Sequence, residues 1–457
     1  MAIHGYAEEN FAQKLDLVLS ASGPIRSEER LFGREKELDR IKKALYISGR
    51  HVFIYGDRGV GKSSLAATAA NRYQSSDSEY IDIGCGPDST LFSIVSNIAY
   101  QAINATKLNK SKISTTVGVD AKFFRMTKTS EITRNDLLAE MRTLSDAVEL
   151  LKEVSALHSE KPIVVLDEFD RISDQSQREL FADLLKHIGD KKIGIKFIFT
   201  GVAKTLGEIL GAHHSAIRQL ETVELTRLSW EGRWDIIRAA IAEFGLTMDR
   251  EVEIRIAAVS DGFPFYVHLL TEKILWSVFE DAEALTDIDM DHYQIGLRSA
   301  IGSIDAELRR PYDTVMNCRG DDLEEILWST ADSEYLDRYL KDMYESFRYV
   351  IKQRPDRSLI DYQKFCTQIR SLKAKKFDEI LVSDPNRPGL YSYREKMLRG
   401  YVRMQAEANG VKLAGEAVDN KTSQVMHVSA SAGRGYHGSK PPPGVNINKA
   451  RRTVSEG

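Results

Sequence analysis

Cysteine is scarce in this sequence: three residues among 457, at Cys85, Cys318 and Cys366. They are odd in number and far apart, so neither a disulfide framework nor a zinc-ligand spacing follows from them. A reducing cytoplasm is the expected setting. Long apolar runs are missing too. The least charged long stretch, Ile193 to Ala212, is broken by Lys196, Lys204 and Glu208 and turns at Gly201, which excludes it as a membrane span. Met1 to Leu19 has neither a basic start nor an apolar core, so no secretory signal is read there. The expectation is a soluble, cytoplasmic protein with no membrane partner. Strong net charge is also absent. The balance of 63 Lys+Arg against 67 Asp+Glu leaves −4 and excludes a histone-like or wholly polybasic protein. What the chain does have is 42% hydrophobic residues, enough to bury real cores. Its length fits about three domains.

The small net charge hides a split. Lys352 to Gly410 carries 13 basic residues and seven acidic ones, and Val411 to Gly457 carries seven and three. These two segments hold a surplus of ten, so residues 1–351 carry −14. An acidic body with a basic module is the reading.

Short runs rich in β-formers alternate with helical patterns through the first two hundred residues. His51–Tyr55, Glu79–Ile83, Lys161–Leu166, Ile195–Phe199 and Val223–Leu225 read as strands. Helical spacing at Leu38, Ile41 and Leu45, and again over Ser64–Tyr73 and Leu91–Ile103, separates them. Such alternation predicts a parallel sheet with helical crossovers, and ligands at the carboxyl ends of its strands. Trp230 to about Tyr349 reads as almost wholly helical, a lid or bundle. Beyond Gly410, Gly, Ser, Ala and Pro dominate, including Pro441 to Pro443, which predicts a disordered tail.

Gly56-Asp57-Arg58-Gly59-Val60-Gly61-Lys62-Ser63 fits G-x-x-x-x-G-K-[ST], with a strand before it and a helix after it. Glycines let the backbone curl so that its N–H groups face phosphate oxygens, and the helix N-terminus beginning around Ser64 adds partial positive charge. Lys62 is expected to reach the β- and γ-phosphates of ATP, and Ser63 to ligate Mg²⁺. The third strand ends in Asp167-Glu168-Phe169-Asp170. Asp167 is placed to hold Mg²⁺ and Glu168 to act as general base on water. Asp170 fits a capping or structural acid. Thr200, at the end of the fourth strand, is either a γ-phosphate or water contact or a turn residue.

Leu31-Phe-Gly-Arg-Glu-Lys-Glu-Leu38, the phosphate loop, Asp167 to Asp170, Thr200, Arg218 and Gly262-Phe263-Pro264 together resemble AAA+ ATPases of the origin-recognition-like group and the related STAND signalling ATPases. The resemblance covers about Leu31 to Leu270. It implies that Leu31 and Phe32 line an adenine pocket with Arg34 nearby, that Pro264 packs near the base, and that Thr200 is the first sensor. Arg218 takes the place of an arginine finger acting across a homo-oligomer interface, or is an ordinary surface arginine. One departure stands out. No arginine follows Pro264 where a second sensor belongs, and the nearby polar residue is His268. That favours a STAND-like lid and slow turnover.

Two segments are expected to meet partners. The insertion at about 105–134, with seven basic residues against two acidic ones over Lys107 to Arg134, reads as a hairpin bearing Phe123 and Phe124. It suits double-stranded DNA, an oligomer contact, or packing on the core. The segment 352–410 resembles a winged helix, the usual C-terminal partner of origin-recognition-like ATPases. Its candidate recognition helix is Asp361 to Leu372, with Lys364, Gln368 and Arg370 polar and Tyr362, Phe365, Ile369 and Leu372 packed. Its wing presents Arg387. It suits DNA or an unidentified protein partner. The expected organisation is an N-terminal extension (1–28), an α/β P-loop core with a parallel sheet and flanking helices (29–228), a helical lid (229–310), a winged-helix-like domain (311–410) and a disordered tail (411–457). The expected function is an ATP-binding, slowly hydrolysing assembly switch linked to DNA in transposition, replication initiation or defence. The alternative is a STAND-like signalling ATPase that senses or recruits a protein without binding DNA.

Overall fold

Alternation along the strands decides which side of the sheet each residue serves. Val52 and Ile54 pack into one apolar cluster with helices Glu35–Tyr46 and Lys62–Tyr73. Phe53 between them points into a second cluster with helices Leu91–Leu108, Leu144–Leu157 and Gln175–Asp190. Ile163 and Val165 repeat the first side, Val164 and Leu166 the second. A strand with both faces covered must be apolar nearly throughout, which is why His51–Tyr55 and Ile163–Asp167 read as continuous rather than alternating runs.

The computed structural model describes residues 3–20, 23–74, 78–108, 133–202, 218–281, 286–318 and 322–413. Its main sheet contains β1 (His51–Tyr55), β2 (Ile81–Gly84), β3 (Ile163–Asp167), β4 (Lys196–Gly201) and β5 (Leu220–Glu224). Their spatial order is β2-β3-β4-β1-β5, all parallel. The five fall where the spacing predicts, shifted by up to three residues at their starts. Because β4 lies between β1 and β3, the loop after β1, the end of β4 and the end of β3 meet along one edge. The 105–134 hairpin expectation falls mostly outside the described residues. Its described ends are helical, with Leu91–Leu108 running into it and Arg134–Glu140 following it. The tail after 413 also lies outside them.

The lid helices Trp230–Glu243, Arg250–Val259, Pro264–Phe279 and Met290–Ser303 follow β5. The region is less wholly helical than the spacing suggests: Thr247–Met248 (β6) and Asp287–Ile288 (β7) pair in parallel. Two-residue strands carry too little pattern to be read from sequence. The N-terminal helix Glu8–Val18 lies on this lid, with Phe11 stacked on Phe279 at 4.4 Å and edge-on to Trp276 at 4.8 Å. Among the described residues no helix is long and apolar enough to cross a membrane.

Beyond the lid come helix Leu323–Thr330, β8 (Arg338–Tyr339), helices Leu340–Lys352 and Tyr362–Ser371, β9 (Leu381–Ser383), β10 (Leu390–Tyr393) and helix Leu398–Ala408. The three strands form an antiparallel sheet ordered β8-β10-β9. Of the four residues expected on the packed face of Tyr362–Ser371 and its end, Phe365, Ile369 and Leu372 are buried, whereas Tyr362 is 43% exposed. It sits in the first turn, at the edge of Tyr344.

Asp261, 1% exposed, ties the parts together. Arg227 from the end of the core donates to its carboxylate, Arg399 from the last helix lies 3.0 Å away, and Arg403 lies 3.5 Å away. Three cations around one acid are tolerable because carbonyls take up the remaining donors. Arg403 donates to Ala331 O at 2.9 Å and Ala258 O at 2.7 Å, and Arg399 to the carbonyls of Ser333 and Tyr335. Burial still pushes the Arg399 pKa down to about 9, against the pull of Asp261. Asp261 sits at φ 52°, where Asn is also tolerated. Asp261→Asn therefore removes little but the charge. Leaving buried arginines uncompensated should cost about 3 kcal/mol, seen as a lower urea midpoint at unchanged slope. A loss below about 1 kcal/mol contradicts the hub role.

Candidate active site

The loop after β1 has a shape that only glycine permits at its tightest points. Gly56 stands at φ 155°, and a Cβ there would lie 2.2 Å from Leu225 O. Gly59 stands at φ 77°, and a Cβ there would lie 2.3 Å from Met397 Sδ. Gly61 then enters the helix in the left-handed region with no side-chain cap. The first N–H groups of Lys62–Tyr73 therefore have no capping acceptor, an arrangement suited to an anion.

Lys62 Nζ donates to the loop's own carbonyls, Gly56 O at 3.1 Å and Asp57 O at 2.8 Å. Burial lowers its pKa, opposed by the charges of Asp170, Asp167, Asp57 and Glu168. Asp167 accepts from Ser63 Oγ at 3.0 Å and from Thr200 Oγ1. Thr200 Oγ1 in turn accepts the Glu168 N–H at 3.0 Å. The three neighbouring strand ends thus bring Ser63, Asp167, Glu168 and Thr200 together. Glu168 stands at φ 54°, exposed, with its carboxylate 2.6 Å from Arg171 Nη1. Cys85, beside this cluster, is no nucleophile: burial and then the Asp167 charge push its thiol up to about 12. All three cysteines are free thiols.

These residues border a cleft of about 760 Å³. Its phosphate-loop end contains Arg58 to Ser64, and its apolar end Leu31, Phe32, Leu228, Ile236, Pro264 and Phe265. Ser64 borders it with its hydroxyl already engaged, accepting the Ile25 N–H at 3.1 Å. Arg34 borders the cleft, is buried, and acts as a brace. It donates to Val60 O at 3.0 Å and Thr226 O at 2.7 Å, fastening the loop to the segment after β5. Ser20, Gly23, Pro24 and Ile25 form one wall, so the expected N-terminal extension is part of the cleft. Arg218 lies outside it, exposed, where β5 begins and away from the strand ends that carry the loop.

The residues fit a polyphosphate with a divalent cation. Lys62 and the uncapped helix start suit phosphates. Among the described residues no cluster of three His, Cys, Asp or Glu side chains is placed to hold a metal alone. Ser63 and Asp167 offer two oxygens, which suits Mg²⁺ sharing its remaining sites among phosphates and water.

A profile of the AAA ATPase domain matches residues 30–198. That span holds the phosphate loop and Asp167–Glu168 and stops two residues before Thr200. No curated protein matches the sequence. Similar solved structures include a Walker-type ATPase of Pyrococcus abyssi, at 16% identity and TM-score 0.44, covering 84% of this chain and 99% of that one. The Orc1 protein of Aeropyrum pernix, solved in complex with DNA, has 17% identity and TM-score 0.41, covering 83% and 93%. The Thermotoga maritima RuvB branch migration motor has 13% identity and TM-score 0.41, covering 85% and 98%. At such values these likenesses carry no argument about function.

One contact of the phosphate loop escaped sequence reasoning altogether. Lys396 Nζ lies 2.9 Å from the Asp57 carboxylate, and Glu395 lies 4.0 Å from Arg58. Met397 covers Gly59, and its carbonyl accepts from Tyr266 OH at 2.8 Å. The phosphate loop is thus touched by a segment more than 330 residues away. Arg171 was missed as well, although its three-residue spacing from Glu168 within a tight turn was a usable signal.

Proposed function

We propose that the chain is an ATP-binding, slowly hydrolysing AAA+ ATPase of the origin-recognition-like group that works as a nucleotide-driven assembly switch. The contact of Glu395 to Met397 with the phosphate loop carries this reading. A nucleotide entering the cleft must occupy the face of a loop that also anchors the C-terminal segment, so binding and the position of that segment are linked. In this reading Leu31, Phe32 and Pro264 hold the base. The loop residues Gly56 to Ser64, with Lys62 foremost, hold the phosphates, and Ser63 and Asp167 hold Mg²⁺. Bound Mg²⁺ would neutralise phosphate charge. Thr200 orients Asp167 and the Glu168 backbone. Glu168 is the base that deprotonates water once it leaves Arg171. Parking on Arg171, and Phe265 where a second-sensor arginine would follow Pro264, both support slow turnover. Arg218, exposed and outside its own cleft, serves as the finger toward a neighbouring copy in a homo-oligomer.

The reading extends to DNA. The order helix, strand, helix, helix, strand, strand over 323–393 supports a winged helix. Its basic surplus is smaller on the surface than in the composition. Arg354 and Arg357 pair with the buried Glu325 at 3.2 and 3.1 Å, Lys364 with Asp322 at 3.1 Å, and Arg394 with Glu379. Lys396, Arg399 and Arg403 are used at Asp57 and Asp261. Among the described residues, exposed Lys352, Arg370, Lys373, Lys375, Lys376 and Arg387 remain outside any ion pair, and these suit duplex phosphates. A cytoplasmic location goes with the free thiols.

Two experiments test this. Lys62→Ala should abolish ATP binding in calorimetry, while Glu168→Gln should bind ATP with little turnover. Unchanged affinity in the first sinks the site, and normal turnover in the second sinks the base. For DNA, the triple change of Lys375, Lys376 and Arg387 to Ala should lower the salt slope of duplex binding by about three. An unchanged slope, or no duplex binding with ATP at low salt, would turn the reading to a signalling ATPase with a protein partner.

A further inference from the structure

Helix Pro264–Phe279 enters the cleft wall with Pro264 at its first position, and His268 follows one turn later on the same face. His268 is 3% exposed, yet it borders the cleft. Neither ring nitrogen has a hydrogen-bond partner among the described residues. Burial pushes its pKa down to about 4, so the ring is neutral at pH 7 and offers one donor and one acceptor. Its fellow wall residues at this end are apolar: Leu228, Ile236, Pro264 and Phe265.

Buried polar groups are nearly always paired, so an imidazole with both nitrogens unsatisfied calls for a reason. His51 shows what a structural histidine looks like in this fold. It lies inside β1, accepts the Phe197 N–H at 3.1 Å on Nδ1, and does not line this cleft. His268 differs on both counts. An anionic phosphate would prefer a charged partner such as Lys62, whereas a neutral donor and acceptor set in an apolar wall matches the edge of a heterocyclic base.

We propose that His268 is a specificity residue that hydrogen-bonds the base of the bound adenine nucleotide. This rests on the nucleotide-site reading above. It assigns to the lid a recognition role where the sequence lacks a second-sensor arginine. Base and phosphates are then held by different parts of the molecule, the lid wall and the loop after β1.

Calorimetry on the full-length protein with two probes, ADP and inorganic tripolyphosphate, separates the roles. His268→Leu should weaken ADP about tenfold and leave tripolyphosphate unchanged. His268→Gln, which keeps a donor and an acceptor, should stay close to wild type for ADP. The melting temperature of His268→Leu should not fall, because an unsatisfied polar ring has been replaced by an apolar side chain. Unchanged ADP affinity in His268→Leu overturns the proposal, as does an equal loss for both probes, which would place His268 at the phosphates or in the packing. Wild-type protein that binds neither probe removes the underlying site reading, a result distinct from either of these.

Discussion

Lys396 and Asp57 form an ion pair across two parts of the molecule that lie far apart in the chain. Alone, such a half-exposed pair contributes little, on the order of 1 kcal/mol. Its importance lies in where it sits. Asp57 belongs to the phosphate loop, and the neighbouring Gly59 has its open face filled by Met397. The same loop is braced from behind by Arg34 on Val60 O and joined to the β3 acid through Ser63 and Asp167. The C-terminal segment, the Arg34 brace and the β3 acid therefore all touch these eight residues. A loop of glycines is soft, and what it contacts sets its shape.

The rest of the architecture keeps that contact in place. Arg227, Asp261, Arg399 and Arg403 form a buried charge cluster that joins the end of the core, the lid and the last helix. Asp261 is followed directly by Gly262-Phe263-Pro264, the start of the helix that carries His268 into the cleft. Arg399 lies two residues beyond Met397. The cluster is thus one step from the apolar end of the cleft on one side and one step from the phosphate loop on the other. Buried ion networks are seldom strong sources of stability, but breaking one is expensive, so they suit a joint that must stay in register.

The local parts of this picture were legible in the sequence. The phosphate loop was readable because its spacing is contiguous and its flanking strand and helix are signalled by the neighbouring residues. Asp167 and Thr200 followed from strand ends, since a parallel sheet gathers those ends on one edge. What could not be read depends on distance along the chain. Nothing near Lys396 marks its partner as Asp57, and nothing near Arg34 marks it as a brace on Val60 and Thr226. Composition misled in one respect. The basic surplus of 352–410 suggested a basic module, yet seven of its 13 basic residues pair with acids inside the fold. Arg399 and Arg403, counted toward a surface charge, lie in the interior. The N-terminal stretch was read only as an extension, because nothing in its sequence names its partners. Phe11 packs on three aromatic rings, Ile3, Leu15 and Leu19 are buried beside it, and Ile25 lies on the helix behind the loop.

The central claim is that the phosphate loop and the C-terminal segment are one coupled unit. Hydrogen exchange on the full-length protein, with and without ATP and Mg²⁺, tests it most directly. The account predicts that nucleotide changes exchange in Leu398–Ala408 and its preceding turn as well as in the loop and helix Lys62–Tyr73. Protection confined to the loop and the cleft walls, with Leu398–Ala408 unaltered, would contradict it.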